Sequence, residues 1–448
     1  MTQDSSSQEL ASLRQVAEDV IRRAVARGAS AAEVGVNIDA GLNVNVRMGE
    51  VETVEHTRDR GVSVTVYFGH RKGSASTADL RTDSIETTIE QACAIARYTE
   101  EDPCSGLADA DRMARVERDF DMWHPWGITA EEAIELGLRC EQAGRDLDPR
   151  ISNSDGASVG SGSSVSVYAN SHGFVGASRD TRHSVSCALL AEDDTGMQRD
   201  YWYSTSSDAR TLEAAEAIGR RAAERTLARL SPRKLATSNA PVLFVPELAR
   251  SLIGGLVNAV SGGALYRRAS FLVDSIGTVV LPPGLSLRED PWLQRGFGSS
   301  WFDAEGVATE PNTLVADGVL QRYVLGSYSA RKLGLTSTGN AGGIHNLLLE
   351  APERLPFDQL VRQMGRGLMV TELMGQGLNL VTGDYSRGAA GFWVEHGEIQ
   401  YPVDEITIAG NLRRMLMGIV AVGDDIDHRS HLLTGSLLVD QMTIAGAG

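Results

Sequence analysis

His428 and His431 sit three residues apart in DDIDHRSHLL, beside Asp424, Asp425 and Asp427. On a helix that spacing would bring both imidazoles near carboxylates, which is the chemistry of a metal site. Two imidazoles without a third fixed ligand favour a polar surface loop instead. Gly156-Ala157-Ser158-Val159-Gly160 matches the G-x-S-x-G pattern of serine hydrolases. That pattern needs a sharp strand-to-helix turn beneath the serine. Its setting, NSDGASVGSGSSVSVY, reads as turn and strand, where glycine and serine make chance matches common. A third candidate, GDYSRGAAGFWVEHGEIQYPVDEITIAGN (383–411), combines glycines, adjacent aromatics and His396 among acids. A phosphate loop would use its glycines to open a helix and would end in lysine. Here they open a strand pair. With His396-Gly397 as the central residues of a hairpin turn, Val394 faces Ile399, Trp393 faces Gln400 and Phe392 faces Tyr401. Phe392, Val394, Ile399 and Tyr401 then share an apolar face, and Trp393 lies on the other with Glu395 and Glu398. Asp384, Ser386 and Arg387 read as a capped turn ahead of that strand. None of the nine histidines is followed by glutamate, so H-E-x-x-H and H-E-x-x-x-H are both missing from the chain.

The elements that must position these residues fall into an α+β pattern. Residues 8–27 form an amphipathic helix with Leu10, Leu13, Val16, Val20 and Ile21 on one stripe. The period then drops to two through Leu42, Val44 and Val46 and again through Val62, Val64, Val66 and Phe68, with Gly49, Gly61, Gly69 and Gly73 as turns. A helix from about Asp83 places Ile85, Ile89, Ala92 and Ala96 on one face. This unit covers residues 1–110. A second, 111–236, opens with the Thr129/Glu132 capping box. It continues through long alternating strands over 150–206, with a hairpin tip at 171–173, and closes with a helix over 209–230. SPRKLATSNAP, 231–241, reads as the linker. The third unit, 237–448, is Gly-rich mixed α/β. In it Val242–Val245 leads to a helix with Pro246 at its start, stopping at Gly262-Gly263. The Gly254-Gly255 pair inside that helix implies a close neighbour. Asp317-Gly318 marks a hairpin, and a helix lies near Phe357–Met364.

The chain of 448 residues carries 59 acidic and 42 basic residues, a formal charge of −17. That field disfavours nucleic acid and anionic membranes as partners. The start, MTQDSSSQEL, shows no secretion signal, and the longest apolar run is too short for a bilayer span. Cys93, Cys104, Cys140 and Cys187 stand far apart without C-x-x-C, as expected of reduced thiols in a cytoplasm.

The stretch TGDYSRGAAGFWVEHGEIQYPVDEITIAGN resembles the C-terminal signature of the TldD/PmbA metallopeptidase family, on its PmbA (TldE) branch. VETVEHTRDRGVSVTVYFGHRKGSASTAD, STGNAGGIHNLLLEA and IVAVGDDID extend the resemblance over essentially the whole chain. The resemblance implies a subunit that pairs with a TldD-type partner in a heterodimeric zinc metallopeptidase acting on unfolded or leader peptides. TldD-type subunits carry H-E-x-x-x-H and a late cysteine, whose imidazoles and thiolate hold Zn²⁺ while the glutamate serves as base. Aligned on that motif, this chain has Val257 for the first histidine, Asn258 for the glutamate and Gly262 for the second histidine. No cysteine follows Cys187. The expectation is therefore no catalytic residue and no metal in this chain, with zinc in the partner. By the same resemblance Gly342, Gly343 and His345 are expected to line a peptide groove. The alternatives are a self-contained hydrolase using Ser158 or His428, and a non-cleaving peptide-binding scaffold; the lone chain could also form a homodimer.

Overall fold

The computed structural model describes residues 3–446. Helix α1 (Gln3–Ala26) is followed by strands β1 (Ala31–Arg47), β2 (Glu50–Phe68) and β3 (Arg71–Thr77), then by α2 (Thr82–Tyr98). After an irregular crossing come α3 (Ala130–Arg145), β4 (Asn153–Asn170), β5 (Val175–Asp193), β6 (Gly196–Ser206) and α4 (Ala215–Ala228). All six strands belong to one antiparallel sheet in the order β3-β2-β1-β4-β5-β6. Strand β1 pairs with β4 from Glu33 to Val46, so the sheet runs unbroken across residues 110 and 111.

Alternation along these strands decides the layering. Val34, Val36, Leu42, Val44 and Val46 point to one face, where α1 and α2 cover one end and α3 and α4 the other. Asn37, Asp39, Gly41, Asn43 and Asn45 point to the opposite face, as do Ser158, Gly160, Gly162, Ser164 and Ser166 of the paired β4. That second face carries no helix. The Thr129/Glu132 capping box forms as expected. Gly61 and Gly73 turn out to lie inside strands, not at turns. Gly73 is where α2 comes closest: a Cβ there would stand 2.2 Å from the carbonyl oxygen of Ala92.

The second half begins with β7 (Ser238–Phe244), so the expected linker already enters the sheet at Ser238. Next come α5 (Pro246–Ala259), α6 (Gly262–Tyr266), β8 (Ser286–Glu289), β9 (Asn312–Ala316), β10 (Val319–Leu320), α7 (Ser327–Leu333), β11 (Leu347–Glu350) and α8 (Phe357–Met364). The chain ends with β12 (Gly367–Met374), β13 (Asp384–Glu395), β14 (Glu398–Asn411), α9 (Leu412–Met417), β15 (Ile419–Val422), β16 (Leu432–Leu433) and β17 (Leu437–Gly446). Strands β14-β13-β12-β7-β17 form a sheet that closes on itself because β17 also pairs with β14. A smaller sheet, β10-β9-β8-β11-β16, packs beside it. The fold is α+β. The two halves meet through an aromatic cluster of Phe120, Phe174, Trp301 and Phe302, with Trp301 and Phe302 ring centroids 4.7 Å apart.

The His396-Gly397 hairpin forms with φ of 58° and 74°, but its register differs from the expected one. Val394 pairs with Ile399 as anticipated, whereas Trp393 pairs with Tyr401 because Gln400 is an extra residue in a β-bulge. One inserted residue exchanges the faces beyond it. Trp393 is therefore buried, 4% exposed, and packs with Tyr401 in the main core, while Phe392 packs against a separate cluster.

Candidate functional site

Helix α5 starts at Pro246, whose missing N–H costs nothing there, and Gly255 lets α9 approach: a Cβ would lie 2.8 Å from Leu412 Cδ2. The helix ends at Ala259, and Gly262-Gly263 opens α6 instead of terminating α5. The motif positions thus straddle a break between two helices. Val257 is 9% exposed and belongs to the hydrophobic core with Leu252 and Leu256. Asn258 projects its side chain to the exterior while its carbonyl accepts a 2.8 Å hydrogen bond from Ser261. Gly262 is wedged beneath α7, where a Cβ would stand 2.1 Å from Ser329 Oγ. The three positions do not fit a zinc ion. They offer an aliphatic group, an outward amide and a backbone with no room for an imidazole.

Gly342 and Gly343, with φ of 96° and 126°, shape an exposed loop in front of β11. His345 is not on that surface. It is 9% exposed, and its Nδ1 lies 2.9 Å from Glu289 Oε1, which also accepts the His345 backbone N–H at 2.8 Å. Glu289 is 1% exposed and accepts further hydrogen bonds from Asn340 and Asn312, both at 2.7 Å, with Arg322 at 3.3 Å. Burial pushes the Glu289 carboxyl up, but the His345 ring, the His345 backbone N–H and Asn312 outweigh it and hold it below the usual carboxylate range. His345 is thus a strut in a buried polar network that ties β8 to the loop before β11.

The other candidates are likewise accounted for by their surroundings. Ser158 lies in mid-strand on β4 with its hydroxyl bonded to Asn45, so no nucleophile elbow forms. His428 and His431 lie in irregular chain, where i, i+3 spacing does not align them as on a helix. The nearby acids are engaged elsewhere: Asp427 with Arg429 at 2.8 Å and Arg250 at 3.2 Å, Asp425 with Ser436 at 2.7 Å. His431 is half-buried, and desolvation together with Arg250, His345 and Arg182 lowers its pKa. Asp384 accepts from Thr382 at 2.7 Å in the expected capped turn. Among the described residues no three His, Cys, Asp or Glu side chains are grouped to hold a metal ion, and no helix is long and apolar enough to cross a membrane.

What motif reading missed is the helix-free face of the N-terminal sheet, which the second half covers only in part, with Phe302 against Tyr168 and Phe297 against Arg182. Its residues are glycine, serine, threonine, asparagine, scattered charges and the tyrosines Tyr67, Tyr168, Tyr201 and Tyr203, a composition with no catalytic pattern. At one end it carries a trough of about 470 Å³ lined by Gly41, Asn43, Glu55, Gly160, Gly162 and Arg182 among others. Beside it, β3 pairs with β2 only from Val62 to Phe68, so residues 50–60 of β2 are exposed along a free sheet edge.

Three family models match the chain: the PmbA/TldA metallopeptidase domain 1 over residues 32–96, the central domain over 123–230 and the C-terminal domain over 237–446. The chain belongs to the PmbA/TldD metallopeptidase family. It is 50% identical to metalloprotease PmbA of Escherichia coli O157:H7, over 97% of both chains. A metalloprotease TldD homolog of Buchnera aphidicola is more distant, 22% identical over 82% of this chain and 80% of its own length. Among solved structures, a candidate modulator of DNA gyrase from Bacteroides thetaiotaomicron superposes with a TM-score of 0.91 at 27% identity, covering 96% of this chain and 98% of its own. TldE from Thermococcus kodakarensis shares the fold with a TM-score of 0.84 at 20% identity, covering 96% and 100%.

Proposed function

We propose that this chain is the PmbA (TldE)-type subunit of a cytoplasmic heterodimeric zinc metallopeptidase, in which a TldD-type partner holds the zinc and cleaves unfolded or leader peptides. The observation that carries this reading is the packing at the motif positions, with Val257 in the core and Gly262 closed over by Ser329. A family member whose motif helix is built this way completes a chamber and holds substrate while the partner supplies Lewis acid and base. The free β2 edge supports the holding role: an extended peptide can add to it as a further strand, a mode that reads backbone and tolerates many sequences. The polar, helix-free sheet face beside it offers side-chain contacts to the same peptide.

The test is to purify the chain alone and with a TldD-type subunit from the same cell, then measure zinc content and peptide cleavage. Zinc-dependent cleavage confined to the pair supports the proposal. Chelator-sensitive cleavage with stoichiometric zinc in the lone chain overturns it. That outcome would favour a second reading, a self-sufficient protease, which rests on the metalloprotease name of the 50% identical relative. Tight peptide binding without cleavage in either preparation would point to a scaffold.

A further inference from the structure

The trough on the helix-free sheet face has a floor of glycines: a Cβ on Gly41 or Gly160 would press on the Thr57 or Ser184 hydroxyl at 3.0 Å, whereas Gly162 has room for one. Gly41, Gly160 and Gly162 all lie within strands and none has positive φ. A Cβ on Gly162 would meet only the carbonyl oxygen of Arg182 at 3.6 Å, an ordinary contact. Glycine in a strand interior costs stability relative to alanine. What glycine does here is keep the floor low across neighbouring strands.

The two ends of the trough carry opposite charges. Arg182, on β5, lies over the Phe297 ring with its guanidinium carbon 4.5 Å from the centroid, and its Nε approaches Thr205 Oγ1 at 3.4 Å. Stacking fixes the plane of the guanidinium without neutralising it. Among the described residues no carboxylate lies within ion-pair distance of Arg182; Asp180, next along that face, is within reach of its charge but forms no salt bridge. Glu55, on β2, is exposed and likewise has no cation within ion-pair distance among the described residues. Both residues line the same trough. Strands β2, β1, β4 and β5 are successive neighbours, and Glu55 registers through Asn43 and Gly160 with Ser184, two residues from Arg182. Three inter-strand steps of about 4.8 Å with an offset of about 6.6 Å along the strands put the two Cα atoms roughly 16 Å apart. At about 3.3–3.6 Å per residue that span matches an extended peptide of about four to five residues.

We infer that the trough is a binding site for short peptides with free ends, the α-carboxylate held by Arg182 and the α-ammonium by Glu55. The inference rests on the reading above that this chain holds peptide, and it adds the class of ligand: oligopeptides of cleavage-product length, bound through their termini and not their side chains. The glycine floor admits the backbone, and Asn43, Ser184 and Thr205 along the trough offer hydrogen bonds to its amides.

The test is calorimetric titration of the full-length lone chain with tetra-alanine, its C-terminal amide and its N-acetylated form. The acid is expected to bind about tenfold or more tighter than the amide, since a charge-assisted bidentate contact is lost. Arg182→Gln should erase that gap while keeping the penalty for acetylation; Glu55→Gln should do the reverse. Gly162→Val should abolish binding with an unchanged melting temperature, separating a filled floor from a damaged fold. Equal affinity for acid and amide, a gap that survives Arg182→Gln, or no saturable binding at millimolar peptide would each overturn the assignment. The titration needs neither zinc nor partner, so its failure is distinguishable from failure of the partner-subunit reading.

Discussion

The N-terminal sheet and the C-terminal barrel answer the same problem, how to bury β-strands, in opposite ways. The first keeps one face free of helices, covered only in part by loops of the second half, and leaves part of one edge unpaired, with its helices on the other face. The second closes through β14 and β17 and surrounds its strands with α5, α8 and α9. An open polar face costs little because its side chains stay in water, whereas polar groups enclosed by the second half must be paired within the protein. The comparison teaches where each kind of function can reside. Binding surface is available in the first half. In the second, Val257 and Gly262 are packed into the protein interior.

The sharpest way to break this contrast is Glu289→Ala. It strips the acceptor from His345, Asn340 and Asn312 and leaves half-buried Arg322 without its carboxylate. A loss of about 3–5 kcal/mol is expected in the unfolding transition of the C-terminal half, followed by urea denaturation. A loss below 1 kcal/mol would show that the network is not under the strain of enclosure. Next in size is Gly262→His, which puts an imidazole where the resemblance leads one to expect a ligand. With Ser329 Oγ 2.1 Å from the new Cβ, it should destabilise by about 1–3 kcal/mol and gain no zinc by metal analysis.

Two buried acids of the second half should then separate by sign. Burial pushes Asp303 up to about 6, against opposing hydrogen bonds from the N–H groups of Ala341, Glu305 and Val307, whereas Glu289 is held below its ordinary value. Between the unfolded carboxyl range and pH 6 the folded protein keeps the Asp303 proton that the unfolded chain has released, so that contribution weakens as pH rises. Glu289 contributes stability above the unfolded carboxyl pKa and loses it as pH falls through the lower folded value. Each slope is at most about 1.4 kcal/mol per pH unit. Carbon-13 carboxyl titrations should place Asp303 well above Glu289, and coincident midpoints would refute the assignment. The smallest effect belongs to the open face. Gly162→Ala should leave stability unchanged or raise it by up to about 1 kcal/mol in thermal melts, because nothing but an ordinary contact awaits the methyl.

Local signals proved legible wherever one residue's own chemistry sets the outcome. The Thr129 cap, Pro246 at the start of α5 and the Asp317-Gly318 and His396-Gly397 turns are all present. The bulge at Gln400 was not legible, since nothing in that residue distinguishes an inserted position from a paired one, and it reversed the expected side of Trp393. His345 was expected at a groove by resemblance, but the depth of a residue depends on what packs over it. Here that is β8 with Glu289, more than fifty residues earlier in the chain.

By itself, then, the order of residues determined the strand alternation, the caps and turns, the family, and the lack of ligand side chains at 257, 258 and 262. These follow from side-chain chemistry and backbone preference acting over a few residues. Only the tertiary structure decided that β1 and β4 join the first two units in one sheet, that four helices lie on a single side of it, and that Glu55 and Arg182 end up at opposite ends of one glycine floor. Those outcomes depend on pairing between distant segments. Strand pairing is set by backbone hydrogen bonds that every sequence can make, so only the burial of the whole assembly selects among them.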